Sequence, residues 1–216
     1  MPKVVDPDER RGVIADALFD IIRERGFSKI TLANVAERAG LAIGSVRHFL
    51  GTREEMIAFA FDTISDRFGG RILTSAQALG AGLDSGQLTA EARLQATADL
   101  LCEFLPLDAT RRDEAVVWIE FETAARTDPH LAERSRRAGA QTTGLIERIL
   151  ESARERGAIS SDIDLAIETA RLAALIDGLT IRCALHPDLL SPDTARRAVV
   201  AHLREIRRSA SEADPR

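Results

Sequence analysis

Along this chain, apolar side chains return every three or four residues and almost never every second one. Ile14, Ala17, Leu18, Ile21 and Ile22 fall on one face of a helix, as a 3.6-residue period requires. Asp6-Pro7-Asp8-Glu9 supplies its start, with Asp6 as N-cap. Gly26 supplies its stop, because glycine takes the left-handed conformation that ends helices. Thr31 opens a short second helix over 32–38, closed by Ala39-Gly40, and a third follows over 43–50. Thr52-Arg53-Glu54-Glu55 is a capping box. It begins a long fourth helix with Met56, Phe59, Ala60, Thr63, Ile64 and Phe68 at helical spacing, kinked or interrupted at Gly69-Gly70. Residues 80–88, Gly-Ala-Gly-Leu-Asp-Ser-Gly-Gln-Leu, read as a loop. Further helices are predicted over 89–105, 110–127, 129–157, 163–186 and 192–208. Their boundaries are Pro106, Asp128-Pro129, Gly157, Asp162 or Asp164, His186-Pro187 and Ser191-Pro192-Asp193. The pattern predicts an all-α fold of about nine helices and no sheet. It divides into a domain over 1–52, a larger domain over 53–208, and a disordered tail over 209–216.

Composition supports helices and narrows the functions. The 216 residues are 45% hydrophobic but only 4% aromatic, rich in the good helix formers Ala, Leu, Arg and Glu. No stretch reaches the length of uncharged apolar residues that a membrane span needs. The charged start, Met1 to Arg11, has no signal-peptide character. Cys102 and Cys183 stand alone in apolar helical contexts and read as small buried hydrophobes. No metal or cofactor site is indicated, and the expected compartment is the cytoplasm. The four histidines, at 48, 130, 186 and 202, are scattered, and no nucleophile elbow or phosphate-cradling glycine motif occurs. An enzyme is therefore not expected.

The net charge of −5 sits entirely behind residue 56; ahead of it, nine basic residues balance nine acidic ones. Between Ser28 and Arg53, four basic residues (Lys29, Arg38, Arg47, Arg53) face one acid, Glu37. A DNA footprint covers only one face, so this local excess matters more than the total. It coincides with two short helices joined by a glycine-containing turn, the helix-turn-helix arrangement. In the third helix Val46 and Leu50 face inward, turning Ile43, Gly44 and Arg47 outward with Ser45 and His48 beside them. A short helix with glycine near its start approaches a major groove closely, its first residues at the base edges and its basic groups at phosphates.

The stretch Gly26-Phe27, Thr31, and then Val35 through Met56 resembles the N-terminal domain of TetR-family repressors. Arg126-Thr127-Asp128-Pro129 and Leu175-Ile176-Asp177-Gly178-Leu179 resemble the C-terminal domain of the branch that includes the choline-sensing BetI-like repressors. The resemblance implies phosphate contact at Thr31 and Arg53, a position near the bases at Ala33, and base reading at Ile43, Gly44 and Ser45. The chain departs from the family pattern at four positions. Arg47 replaces a usual Tyr and keeps the ability to bind phosphate. Phe49 replaces a His or Tyr and has no hydrogen to donate. Leu50 replaces a Phe, and Ala42 replaces the Ser that caps the third helix. Ile43 suits a thymine methyl and Ser45 an undiscriminating hydroxyl contact. With so thin a direct code, DNA shape and phosphate contacts are expected to carry much of the recognition.

Residues 53–208 resemble the family's ligand-binding and dimerisation domain. Trp118, Phe121, Glu122 and Ala125 share a helical face, with Glu120 pointing away. A carboxylate beside the single tryptophan suits a cationic or amine ligand. Asp177 within an apolar run is a second candidate, and Phe61, Ile64, Phe68, Phe104 and Leu172 are candidate pocket walls. Each also fits a plain structural role, as core or ion pair. By resemblance the last two helices pair with their copies in a homodimer. That would set two reading helices roughly 35 Å apart, on successive major grooves. The expected protein is a repressor released from its operator by a small molecule. The alternative is a helix-turn-helix regulator with no such ligand, controlled by a protein partner or constitutive.

Overall fold

The structure, a computed structural model, describes residues 7–84, 88–156 and 159–212, and among the described residues there is no strand. Nine helices follow one another among the described residues: α1 (Pro7–Arg25), α2 (Leu32–Ala39), α3 (Ile43–Phe49), α4 (Arg53–Asp84), α5 (Ala90–Cys102), α6 (Ala109–Ala125), α7 (Pro129–Glu155), α8 (Leu165–Leu185) and α9 (Pro192–Glu212), with a 3₁₀ turn at Phe27–Lys29. No helix is long and apolar enough to cross a membrane, among the described residues. Asp6, residues 85–87, Gly157 and residues 213–216 lie outside the described residues.

The local signals act much as their chemistry requires. Gly26 ends α1 at φ 71° and Gly40 ends α2 at φ 65°. Thr31, Thr89 and Asp164 cap α2, α5 and α8 through side-chain oxygens that accept backbone N–H groups. The capping box forms as well: Glu55 N–H donates to Thr52 Oγ1 at 3.1 Å, and Thr52 N–H to Glu55 Oε2 at 3.0 Å.

Three boundaries differ from the sequence reading. α4 runs unbroken through Gly69-Gly70 and through Gly80 and Gly82 to Asp84, so residues 80–84 are helix, not loop. An interior glycine costs about 1 kcal/mol relative to alanine, which a long packed helix absorbs. Gly82 serves closeness here, since a Cβ on it would stand 2.6 Å from Leu88 Cδ1. α5 stops at Cys102, and residues 103–105 tighten into i→i−3 bonds because the residue before Pro106 disfavours the α region. α9 continues to Glu212, into the segment read as a tail.

By compactness the chain divides into two units, and the division does not fall at residue 52. One unit takes residues up to Arg67 together with Asp113–Ser135; the other takes Phe68–Arg112 together with everything from Arg136. The physical reason is that α4, α6 and α7 are single long helices, each contributing to both units. In the first unit, Ile14, Leu18, Ile22, Ile30, Val35, Val46 and Phe121 are buried in the interior. In the second, Leu101 and Leu105 pack with Ile146, Leu150, Leu172, Ile176, Val199 and Leu203. Cys102 and Cys183 are free and buried there. Burial pushes the Cys102 thiol up to about 11, so it behaves as a hydrophobe and not as a thiolate.

Candidate nucleic-acid interface

The reader is built on the first unit's core. α1 packs against α2, and α2 against α3. Val35 and Ala36 on α2 and Val46 on α3 are buried, and Leu50 closes the end of α3 at 9% exposure. Those contacts fix the rotation of α3. Gly44, Arg47 and His48 are exposed, Ser45 is half-buried, and Ile43 stands out at 46% exposure. Thr31 and Ala33 are exposed at the start of α2. Of the outward set read from the sequence, all but the half-buried Ser45 are exposed on α2 or α3.

Two expected polar roles are modified by intramolecular partners. Arg38 lies against Asp20 and Glu24 of α1, so its charge is spent within the protein and the local positive excess is smaller than the sequence suggested. Arg53, at the start of α4, donates from Nη2 to the Phe27 carbonyl at 2.9 Å. Arg47, by contrast, is exposed and makes no ion pair among the described residues. The missing cap on α3 is also real: Ala42 holds extended N-cap angles, φ −68° and ψ 143°, with no side-chain bond. Ala42→Ser is therefore expected to stabilise the protein by about 1 kcal/mol. A urea midpoint that fails to rise would show the cap is not wanted.

The candidate ligand residues fall in both units. In the first, Phe121 is fully buried and stacks on Phe61 with ring centroids 3.7 Å apart, and Ile64 is buried. Trp118 and Glu122 are half-buried on α6, and Ser135 Oγ donates to Glu122 Oε2 at 2.7 Å. Glu120 does turn another way: its Oε2 lies 3.6 Å from where a Cβ on Gly26 would be. In the second unit, Phe68 meets Phe104 at 4.7 Å, and Leu172 is fully buried in the core. Asp177 is exposed on α8, not surrounded by the apolar run in which it occurs, because one residue turns the helix by 100°. Sequence reasoning also missed a buried pair in this unit, Glu168 of α8 and His202 of α9, whose Oε1 and Nε2 lie 2.9 Å apart.

A glycine-turned pair of short helices, with an exposed apolar and basic face on the second, defines a helix-turn-helix transcription regulator. Comparison with known proteins agrees. Residues 90–208 match the profile described as BetI-type transcriptional repressor, C-terminal. The HTH-type transcriptional regulator PksA of Bacillus subtilis (strain 168) is 30% identical over 206 residues, 95% of this chain and 94% of the relative. A transcriptional regulator from Rhodococcus sp. Rha1 superposes with TM-score 0.74 at 28% identity, covering 91% of this chain and 95% of that one. A structure from Saccharomonospora viridis in complex with choline shares the fold, with TM-score 0.71 at 20% identity, covering 91% and 96%. The chain belongs to the TetR family of DNA-binding transcriptional regulators, within its BetI-type repressors.

Proposed function

We propose that the chain is a cytoplasmic homodimeric repressor that leaves its operator when a small cationic molecule binds the larger domain. The observation that carries this reading is the outward face of α3, where Ile43, Gly44 and Arg47 stand exposed over the buried Val46 and Leu50. Thr31, Ala33, Ser45, His48 and Arg53 complete the proposed contact set. Homodimer formation is supported by α8, which leaves Ile167, Ile181 and Leu185 exposed along one side. The cationic class is supported by the half-buried Trp118 and Glu122 on α6, a π-face and a carboxylate at helical spacing. The choline-bound structure shows that a protein of this fold takes such a ligand.

A second reading, a regulator without a small-molecule ligand, is favoured by one observation. Phe61, Ile64 and Leu172, expected as pocket walls, are buried as core, as is Phe121 beside Trp118. The two readings separate in one titration. Trp118 is the single tryptophan, so its fluorescence reports on the proposed site. Choline is expected to change that emission and to release the protein from DNA upstream of its own gene. If choline leaves both the emission and the DNA complex untouched, the cationic-ligand reading falls.

Arg47→Ala is expected to weaken binding about tenfold on operator and unrelated DNA alike. It should also reduce the salt slope of log K by about 1.8, because one phosphate contact is lost in each half of the dimer. A loss confined to the operator would instead assign Arg47 to base reading.

A further inference from the structure

We propose that Arg53 and Asn34 are positioning residues of the reader, clamping from two helices the backbone turn that presents Lys29 and Thr31 to DNA. The turn is the three-residue 3₁₀ segment Phe27–Lys29. It follows Gly26, held at φ 71° and ψ 173°, and has a buried anchor at each end, Phe27 as its first residue and Ile30 just after it. Its own backbone bonds are few: Lys29 N–H to Gly26 O at 3.3 Å and Ile30 N–H to Phe27 O at 3.1 Å. Two side chains complete it. Arg53 Nη2, from the first turn of α4, donates to the Phe27 carbonyl at 2.9 Å. Asn34 Nδ2, from the first turn of α2, donates to the Lys29 carbonyl at 2.8 Å. Asn34 also gives its backbone N–H to the Thr31 cap at 3.1 Å. The two side chains therefore hold the carbonyls at both ends of the turn, and the backbone of Asn34 holds the capping hydroxyl.

This changes the role of Arg53. A pure phosphate ligand acts as a charge, and lysine replaces it well. A brace needs the planar guanidinium, whose donors are held in a fixed fork; the lysine ammonium is a point donor on a flexible stem. Asn34 carries no charge, so its contribution to DNA affinity comes through geometry. Because both bonds act on one turn, losing either frees much of what the other holds, and their effects should not add. The proposal uses the DNA-binding reading for its affinity measurements and none of it for its exchange measurement.

The test takes the full chain as Arg53→Lys, Asn34→Ala and the double variant. Each single change is expected to weaken operator binding about five- to tenfold, consistent with loss of one hydrogen bond. The double variant should be no more than about twofold weaker than the weaker single. Salt slopes should match wild type, since no charge is removed. In the DNA-free protein, amide exchange over residues 27–31 should accelerate in every variant. The proposal is overturned if Arg53→Lys binds within twofold of wild type, if the two losses multiply in the double variant, or if exchange at the turn is unchanged.

Discussion

Leucine in place of Gly44 is expected to leave the protein folded and to strip it of operator recognition. Gly44 is the second residue of α3, exposed, and no atom lies within 4 Å of a Cβ built on it. Its φ is not among the positive glycine values, so a side chain meets neither strain nor a neighbour. Removing a helical glycine should even help the fold, by up to about 1 kcal/mol. On DNA the sign reverses. A glycine near the start of a reading helix lets the backbone approach base edges closely. A leucine there holds the helix away and takes Ile43 and Ser45 out of reach of their bases. Affinity for the operator should fall to the level of unrelated DNA, a loss of about 10³-fold or more. The melting temperature should stay or rise. Equilibrium binding to both DNAs at one salt concentration measures this, and operator affinity within tenfold of wild type would remove Gly44 from the interface. Gly44→Ala, with the smaller obstacle, should fall between.

The reader was legible because its determinants are local. Thr31, Gly40 and the Thr52–Glu55 box each act within four residues of themselves, so residue type and spacing suffice to place them. Val46 and Leu50 were legible for the same reason: four residues apart, they share a face. What escaped was anything decided by distant partners. The charge count between Ser28 and Arg53 took Arg38 as available, yet Asp20 and Glu24 of α1 hold it. Arg53 was read as a phosphate ligand, yet a carbonyl 26 residues earlier takes one of its donors. Glycines misled in the other direction. Those at 80 and 82 look like loop chemistry, but α4 passes through both, and the use of Gly82 is set by Leu88 lying against it.

The candidate ligand residues were less legible because periodicity cannot tell a wall from a core. Phe121 and Trp118 lie three residues apart on one helix, and the sequence gives no reason to separate them. Packing does: Phe121 stacks flat on Phe61 and is fully buried, whereas Trp118 keeps partial access. The same holds for Asp177, whose apolar neighbours in sequence turn inward and leave it on the surface. Family resemblance supplied the candidates; only burial distinguishes them. The choline titration therefore rests on Trp118 and Glu122 and not on the whole set of candidate walls.

The second large effect is expected at Ala174, where glutamate should yield a folded monomer that no longer holds its operator. α8 turns Leu172, Ile176, Leu179 and Cys183 into the core. Its other side carries Ile167, Ile181 and Leu185, 40–59% exposed, and between them the exposed small residues Ala170, Ala174 and Gly178. Large exposed apolar groups at both ends, with small ones between, let two copies of a helix approach and cross. Arg171 and Arg182 border the stripe on one side and Asp177 on the other. α9 contributes less apolar surface, because Ala195, Val199, Leu203 and Ile206 point into the core. In a twofold interface a residue near the middle of the stripe faces its own copy. Glutamate at 174 then sets two like charges together in a desolvated contact, a cost of several kcal/mol. In the single chain the same side chain is solvated and costs little. Sedimentation should show a monomer with an unchanged helical spectrum. DNA affinity should fall by about 10²- to 10⁴-fold, because two linked half-site contacts become one. Gln141→Glu, on an exposed turn of α7, adds the same charge and should change neither property. If the Ala174→Glu protein sediments as wild type does, the stripe is not the interface, and the spacing of the two readers must be set by another surface.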